Sequence, residues 1–378
     1  MNTVDVSNRS RIRVAVVFGG QSEEHGISCV TAGSVLRALD PERYDVVPIG
    51  ITQDGRWVLV EADAATLRIG DDGALPAITD GAAVALAQRG QHTEVSVSAP
   101  GHPPKVLGEV DVVFPVLHGP WGEDGTIQGL LEMSGVRYVG SGVLASAVGM
   151  DKHYMKVVFA GAGLPILPHV LVSPRGWIED PEACRESVRS LGFPVFVKPC
   201  RAGSSFGISK VHDEAELDAA IDMARQFDPR VLVEAAAPMG AREIECGVIG
   251  GLDGSAPRAS VVGEITVGGD HEFYDFEAKY LADQATGLHI PAEVTDDVSD
   301  RVRALAVAAY DTLGCEGLAR VDFFVLHDGR VMINEINTMP GFTPTSMFPQ
   351  MWAATGVSYP VLVDHLVQLA LQRETGLR

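Results

Sequence analysis

An α/β fold that opens on a parallel sheet is predicted for this 378-residue chain by three features of its sequence. A short β-branched run, Arg11 to Phe18, ends in Gly19-Gly20 and reads as a buried parallel strand entering a loop. Apolar residues at helical spacing from Ile27 to Leu39 stop at Asp40-Pro41, and Tyr44 to Thr52 returns as a strand. Strand, helix and strand in that order form the first unit of an open sheet. Hydrophobic residues at 46% supply more than one core, and at about 150 residues per domain the length suggests two or three domains.

The remaining elements follow in order. Gln53 to Lys105, rich in Gly, Asp, Ala and Pro, reads as an insertion or edge hairpins with short strands at Arg56–Val60 and Thr93–Val97. Val110 to Leu117 is the next strand. A glycine-rich loop leads from it to a helix at Thr126–Ser134, and Gly135 stands where a helix C-terminal glycine belongs. One helix is expected over Val143–Ala160, with a boundary at Gly161 to Pro165. Phe193–Lys198 and Ile208–Val211 are strands around the loop Cys200–Gly207, and Asp213 with Glu216 caps a helix through Gln226. Val231–Glu234 is a strand and Ala235–Ala241 a hinge. Beyond it come further strands, a helix at Val298–Leu313, a hairpin at Leu318–Asn337 and a terminal helix. The expected divisions are residues 11–140, 141–237 and 238–372.

Charge narrows the function. Lysine and arginine total 29 against 50 acidic residues, a net charge of -21, which disfavours nucleic acid and anionic membrane surfaces as partners. The five cysteines are odd in number and form no C-x-x-C pair, which excludes a disulfide framework and fits a reducing cytoplasm. No stretch approaches the roughly 20 apolar residues of a membrane-spanning helix. A cytoplasmic location is expected.

The most informative stretch is Gly317 to Asn337, GLARVDFFVLHDGRVMINEIN. Asp328-Gly329 is favoured in two-residue hairpin turns. With that turn, His327 pairs with Arg330. Asp322 then faces Glu335, Arg320 faces Asn337 and Phe324 faces Ile333, and the period of two puts the side chains of these last three pairs on one face. Directly opposed carboxylates repel unless a cation lies between them. An all-oxygen set of Asp322, Glu335 and Asn337 suits Mg²⁺, which usually accompanies substrate phosphates. The competing reading is a solvated polar face.

Phe196 to Val211, FVKPCRAGSSFGISKV, offers glycines and serines as donors to phosphate oxygens, with Lys198 as a point charge. It lacks the ending and the following helix of a Walker A loop. Phe273 to Tyr280, FYDFEAKY, reads as an ordered functional loop or as an amphipathic helix turn. Gly19 to His25 lies between strand and helix, where α/β folds place ligands, without the G-x-G-x-x-G pattern of dinucleotide binders. His118 follows a strand in the company of Glu123 and three glycines, Gly119, Gly122 and Gly125.

Together, seven segments in family order resemble the D-alanine–D-alanine ligases of the ATP-grasp superfamily. They are VAVVFGGQSEEHGIS, LHGPWGEDGTIQGLLE, GSGVLASAVGMDK, VKPCRAGSSFGISKV, FYDFEAKY, GLARVDFF and INEINTMPGFTPTS. The resemblance covers almost the whole chain and is weakest over Gln53–Lys105. It implies three α/β domains, an N-terminal substrate domain and two ATP-grasp subdomains with ATP held between them.

By that resemblance, Lys152 and Lys198 hold ATP phosphates under a loop containing Ser205. Glu234 and Glu243 contact adenine and ribose, Ala235 and Ala237 belong to the same pocket, and Lys279, Phe324 and Asn334 also line the nucleotide. Asp322, Glu335 and Asn337 are implied ligands of two Mg²⁺ or Mn²⁺ ions, and a monovalent cation is a further candidate. Glu24 is implied to bind the ammonium of the first D-alanine, with Ser204 and Tyr280 as hydrogen-bonded companions and His118 alongside. Arg320 and the Gly341 N–H match the oxyanion site, while Lys279, Ser346 and Met347 match the pocket of the second D-alanine. The implied reaction is ATP-dependent ligation through a D-alanyl phosphate for peptidoglycan precursors, by a homodimer. The alternatives are a D-alanine–D-lactate or D-alanine–D-serine ligase, or a non-catalytic nucleotide binder on the same fold.

Overall fold

Valines with both faces buried make β1 (Ile12–Gly19) a central strand of an eight-stranded sheet. It pairs in parallel with β2 (Tyr44–Ile51) on one side and β7 (Val112–Pro115) on the other, and β7 pairs in parallel with β8 (Arg137–Tyr138). The computed structural model describes residues 11–60, 66–70, 72–89, 92–98, 103–203, 206–267 and 286–375. Beyond β2 the sheet continues as an antiparallel meander through β3 (Trp57–Leu59), β4 (Ala82–Arg89), β5 (His92–Ser98) and β6 (Lys105–Val110). The segment read as edge hairpins therefore extends the first sheet. Its strand β4 escapes sequence reading because alanine, dominant there, is a poor strand former.

Two antiparallel sheets follow. β10 (Val195–Pro199) lies between β11 (Ser209–Val211) and β12 (Val231–Ala235), with β9 (His169–Val172) at the far edge. The third sheet runs in the order β15 (Thr286–His289), β14 (Arg258–Val267), β13 (Arg242–Ile249), β16 (Leu318–Val325), β17 (Val331–Asn337). Phe18 and Phe114 of the first sheet share one core with Phe342, Phe348 and Trp352, tying the front of the chain to its end. Among the described residues no helix is long and apolar enough to cross a membrane.

The helix expected over Val143–Ala160 is two helices, Val143–Met150 and Lys152–Gly161. Asp151 between them leaves helical geometry (φ -93°, ψ 101°), and its carboxylate accepts from the N–H groups of His153 and Tyr154. An N-cap aspartate inside an apolar run is a restart signal. The terminal helix is also two, Met347–Ala354 and Tyr359–Gln372, parted at Gly356 with φ +96°.

The β16–β17 hairpin corrects the expected turn. Its loop has three residues, since Leu326 N–H donates to Arg330 O at 2.8 Å and Gly329 takes φ +80°. Pairing beyond the loop is therefore one residue out, with Phe323 opposite Ile333 and Phe324 opposite Met332. A bulge after Asp322 adds one residue on β17 and restores Asp322 opposite Glu335 and Arg320 opposite Asn337. Ile333 accordingly turns into the core beside Phe323, Val321 and Ile336 and does not share a face with Asp322.

Candidate active site

Every site residue expected from the sequence that falls among the described residues lines one cavity of about 590 Å³. Ser204, Ser205, Lys279 and Tyr280, with the rest of Phe273–Tyr280, lie outside the described residues.

The front wall is the loop between β1 and the helix His25–Ala38. Gly19 and Gly20 take φ +89° and +97°, conformations open to glycine, which lets the chain turn sharply off the strand. Ser28 Oγ accepts from Gly19 N–H at 2.8 Å and donates to Val116 O at 2.6 Å. Ile78 N–H donates to His25 Nε2 at 2.9 Å, so the proton belongs on Nδ1, which donates to Gly20 O at 2.6 Å. These bonds place Glu24 at the head of the helix, buried, with its carboxylate against two glycines. A Cβ on Gly119 would come within 2.7 Å of Glu24 Oε2 and one on Gly203 within 3.2 Å.

His118 is buried between Met339 O, 3.3 Å from Nδ1, and Thr31 Oγ1, 3.4 Å from Nε2. Burial outweighs the Glu24 charge and holds its pKa below 6.5, so the ring is neutral at neutral pH. Glu123 accepts from Gly119 N–H at 2.6 Å, and burial together with the Glu24 charge pushes it up to about 8. A carboxyl raised in this way stabilises the fold fully below its unfolded value of 4.5, and that contribution is lost as pH rises through about 8. Glu123→Gln keeps an acceptor for Gly119 and has no charge to lose. Its Tm advantage over the native chain is expected to grow from about pH 5 to about pH 8 and then level off. A difference that stays flat across that range sinks the assignment.

Two lysines share one carboxylate in the second wall. Glu234 on β12 is 2.5 Å from Lys156 Nζ through Oε1 and 2.7 Å from Lys198 Nζ through Oε2. Burial opposes ionisation of all three groups. It prevails for Lys156, which is lowered, while the lysine charges overcome it at Glu234 and the Glu234 charge overcomes it at Lys198. Lys156 also donates to Asn334 O at 3.0 Å, anchoring the bulge of β17. The N–H groups of Ala235 and Ala236 are spent on Pro168 and Pro194 carbonyls, so the alanine-rich linker has only its other groups to turn toward a ligand. Lys152, first residue after the helix break, donates to Ala202 O at 2.8 Å and lies 3.9 Å from Glu335.

The third wall is the hairpin. Asp322 and Glu335 are register partners, and Asn337 Nδ2 donates to Asp322 Oδ2 at 3.1 Å. Arg320 grips Asp322 with two bonds of 2.7 Å. Among the described residues no three His, Cys, Asp or Glu side chains already converge as an ion cage. The oxygen donors nevertheless suit a hard divalent cation once Asp322 turns from Arg320. At the rim, Ser346 stands at the N-cap position of the helix that begins with Met347, but its Oγ turns away from the helix to lie 2.8 Å from Thr343 Oγ1 beside Gly341.

Sequence reading did not assign roles to Glu123 and Glu245, which line the cavity, or to the buried Lys156. Glu123 was visible only as company for His118. Lys156 stands four residues after Lys152, on the same helix face, a spacing that could have flagged it. Glu245 alternates with Glu243 along β13, which places both on the cavity face.

The family models described as D-ala D-ala ligase N-terminus and C-terminus match residues 13–141 and 158–368. The D-alanine–D-alanine ligase of Pseudarthrobacter chlorophenolicus is 57% identical over 98% of this chain and 97% of its own length. That of Streptomyces coelicolor is 57% identical over 97% and 95%. Among solved structures, the VanG D-Ala:D-Ser ligase from Enterococcus faecalis superposes with a TM-score of 0.81 at 33% identity, covering 95% of this chain and 99% of that one. The D-alanine–D-alanine ligase from Coxiella burnetii gives 0.79 at 32%, covering 97% and 95%.

Proposed function

The chain belongs to the D-alanine–D-alanine ligase family, with the ATP-grasp fold, and joins D-alanines with ATP for cell-wall synthesis; from that premise we propose how its residues divide the reaction. The observation that supports this division most is the convergence of Glu24, Lys152, Lys198 with Glu234, and the Asp322–Glu335 pair on one cavity.

A carboxylate is a poor electrophile and needs activation. Glu24 takes the ammonium of the first D-alanine, with Ser204 and Tyr280 as companions and neutral His118 beside it. Lys152 and Lys198 hold the ATP phosphates beneath the Ser205 loop, and Glu243 with the Glu234–Ala237 stretch holds ribose and adenine near Phe324 and Asn334. Asp322, Glu335 and Asn337 would hold Mg²⁺ or Mn²⁺, which when bound offsets charge on the transferring phosphoryl group. A carboxylate oxygen of the first D-alanine attacks the γ-phosphorus, ADP leaves and an acyl phosphate forms. The second D-alanine, its carboxylate beside Lys279, Ser346 and Met347, attacks the carbonyl carbon through its neutral amine. Arg320 and the Gly341 N–H stabilise the oxyanion, and phosphate departs.

Because a D-Ala:D-Ser ligase shares the architecture, the second nucleophile is the point to test. Phosphate release is measured with D-Ala, D-Ser, D-lactate and L-Ala, and products are identified by mass across pH. D-Ala-D-Ala is expected to dominate from mildly acidic to alkaline pH, with D-lactate poor. Mainly D-Ala-D-Lac near about pH 6, where a hydroxy acid has no ammonium to lose, would refute this specificity and leave the ligase assignment standing.

A further inference from the structure

Three adjacent strands bring three carboxylates into one row. Glu245 on β13 is the register partner of Asp322 on β16, which in turn faces Glu335 on β17. Neighbouring like charges across strands repel, and all three line the cavity. Arg320 is the cation that relieves the first pair. Its Nε lies 2.7 Å from Asp322 Oδ1 and 3.0 Å from Glu245 Oε2, and its Nη2 lies 2.7 Å from Asp322 Oδ2. Asp322 thus has both oxygens engaged, Oδ2 also by Asn337. A divalent cation binding Asp322 therefore competes with this bidentate grip for the same carboxylate charge and lone pairs. Glu245, with a side chain 7% exposed, stands two strand spacings, about 10 Å, from Glu335. The cation therefore fits between Asp322 and Glu335, and Glu245 remains on the arginine.

We propose that Glu245 is a positioning residue that tethers the Arg320 guanidinium while Asp322 exchanges that guanidinium for the divalent cation. The inference rests on the assignments of Asp322 as a metal ligand and Arg320 as the oxyanion donor. One carboxylate then passes between two cations, and the second carboxylate keeps the released arginine at the reacting centre. Without Glu245, Arg320 has Asp322 alone and competes harder with the metal.

The test is Mn²⁺ titration of the whole protein with ADP present, free ion being read by EPR, for Glu245→Gln, Arg320→Met and the double variant. Glu245→Gln is expected to weaken Mn²⁺ binding about fivefold or more, and to have less than about a twofold effect in the Arg320→Met background. The same weakening in both backgrounds would show a bare charge effect and overturn the proposal. Arg320→Gln, which removes the cation and keeps a polar side chain, gives the same comparison if Arg320→Met fails to fold. Asp322→Asn separates the two layers. Unchanged Mn²⁺ affinity there removes the metal assignment itself, and the exchange with it.

Discussion

Replacing Glu335 with Gln is expected to cut metal-dependent turnover by orders of magnitude while the fold stays near that of the native chain. The substitution keeps size and one acceptor, and the residue lies on the cavity face of β17, away from the core formed by Ile333 and Ile336. Lys152 Nζ stands 3.9 Å from the Glu335 carboxylate, beyond hydrogen-bond reach. What is lost is one of two anions set directly opposite each other across the hairpin. Asp300, exposed on the helix Asp296–Leu313, serves as control, and Asp300→Asn is expected to change nothing. Turnover against Mg²⁺ concentration decides the matter. Native-like rates at limiting Mg²⁺ would show that Asp322 and Glu335 do not share an ion.

Glu234→Ala is expected to destabilise the fold by about 3–5 kcal/mol, because it leaves two ammonium groups buried without their common counter-ion. The side chains of Lys156 and Glu234 are 1% and 2% exposed, so water cannot replace the lost carboxylate. Adding Lys156→Met to Glu234→Ala removes one stranded charge and is expected to recover part of the loss, as coupled neighbours do. Urea unfolding of the single and double variants measures both. A Glu234→Ala midpoint equal to that of the native chain would mean that the lysines do not depend on this carboxylate.

Much of the site could be read from sequence because its parts sit on regular elements or on glycine turns. Asp322, Glu335, Arg320 and Asn337 follow from a period of two along one hairpin, and Gly19-Gly20 announces the loop that carries Glu24. The lysine–glutamate cluster could not be read in the same way. Lys156, Lys198 and Glu234 come from one helix and two strands and meet only when the second sheet packs against Lys152–Gly161. The helix break at Asp151 was missed for a local reason, since apolar periodicity runs through it and only the capping role of the aspartate interrupts it. Strand β4 was missed because its alanines carry little strand preference.

The hairpin tip has a consequence for how this chain can change over generations. Exposed loops ordinarily gain and lose residues with little effect. Here the three-residue tip and the bulge after Asp322 offset one another, each displacing the pairing by one position in opposite senses. If the turn keeps its three-residue form and the bulge is retained, deleting one tip residue slides β17 past β16 by a residue and exchanges its two faces, sending Glu335 toward the apolar side. A length change at the tip is therefore absorbed only when the turn type changes with it or the bulge is lost or gained. Asp328 and Gly329, exposed and remote from the cavity, are constrained in number by a pair of carboxylates that they never touch.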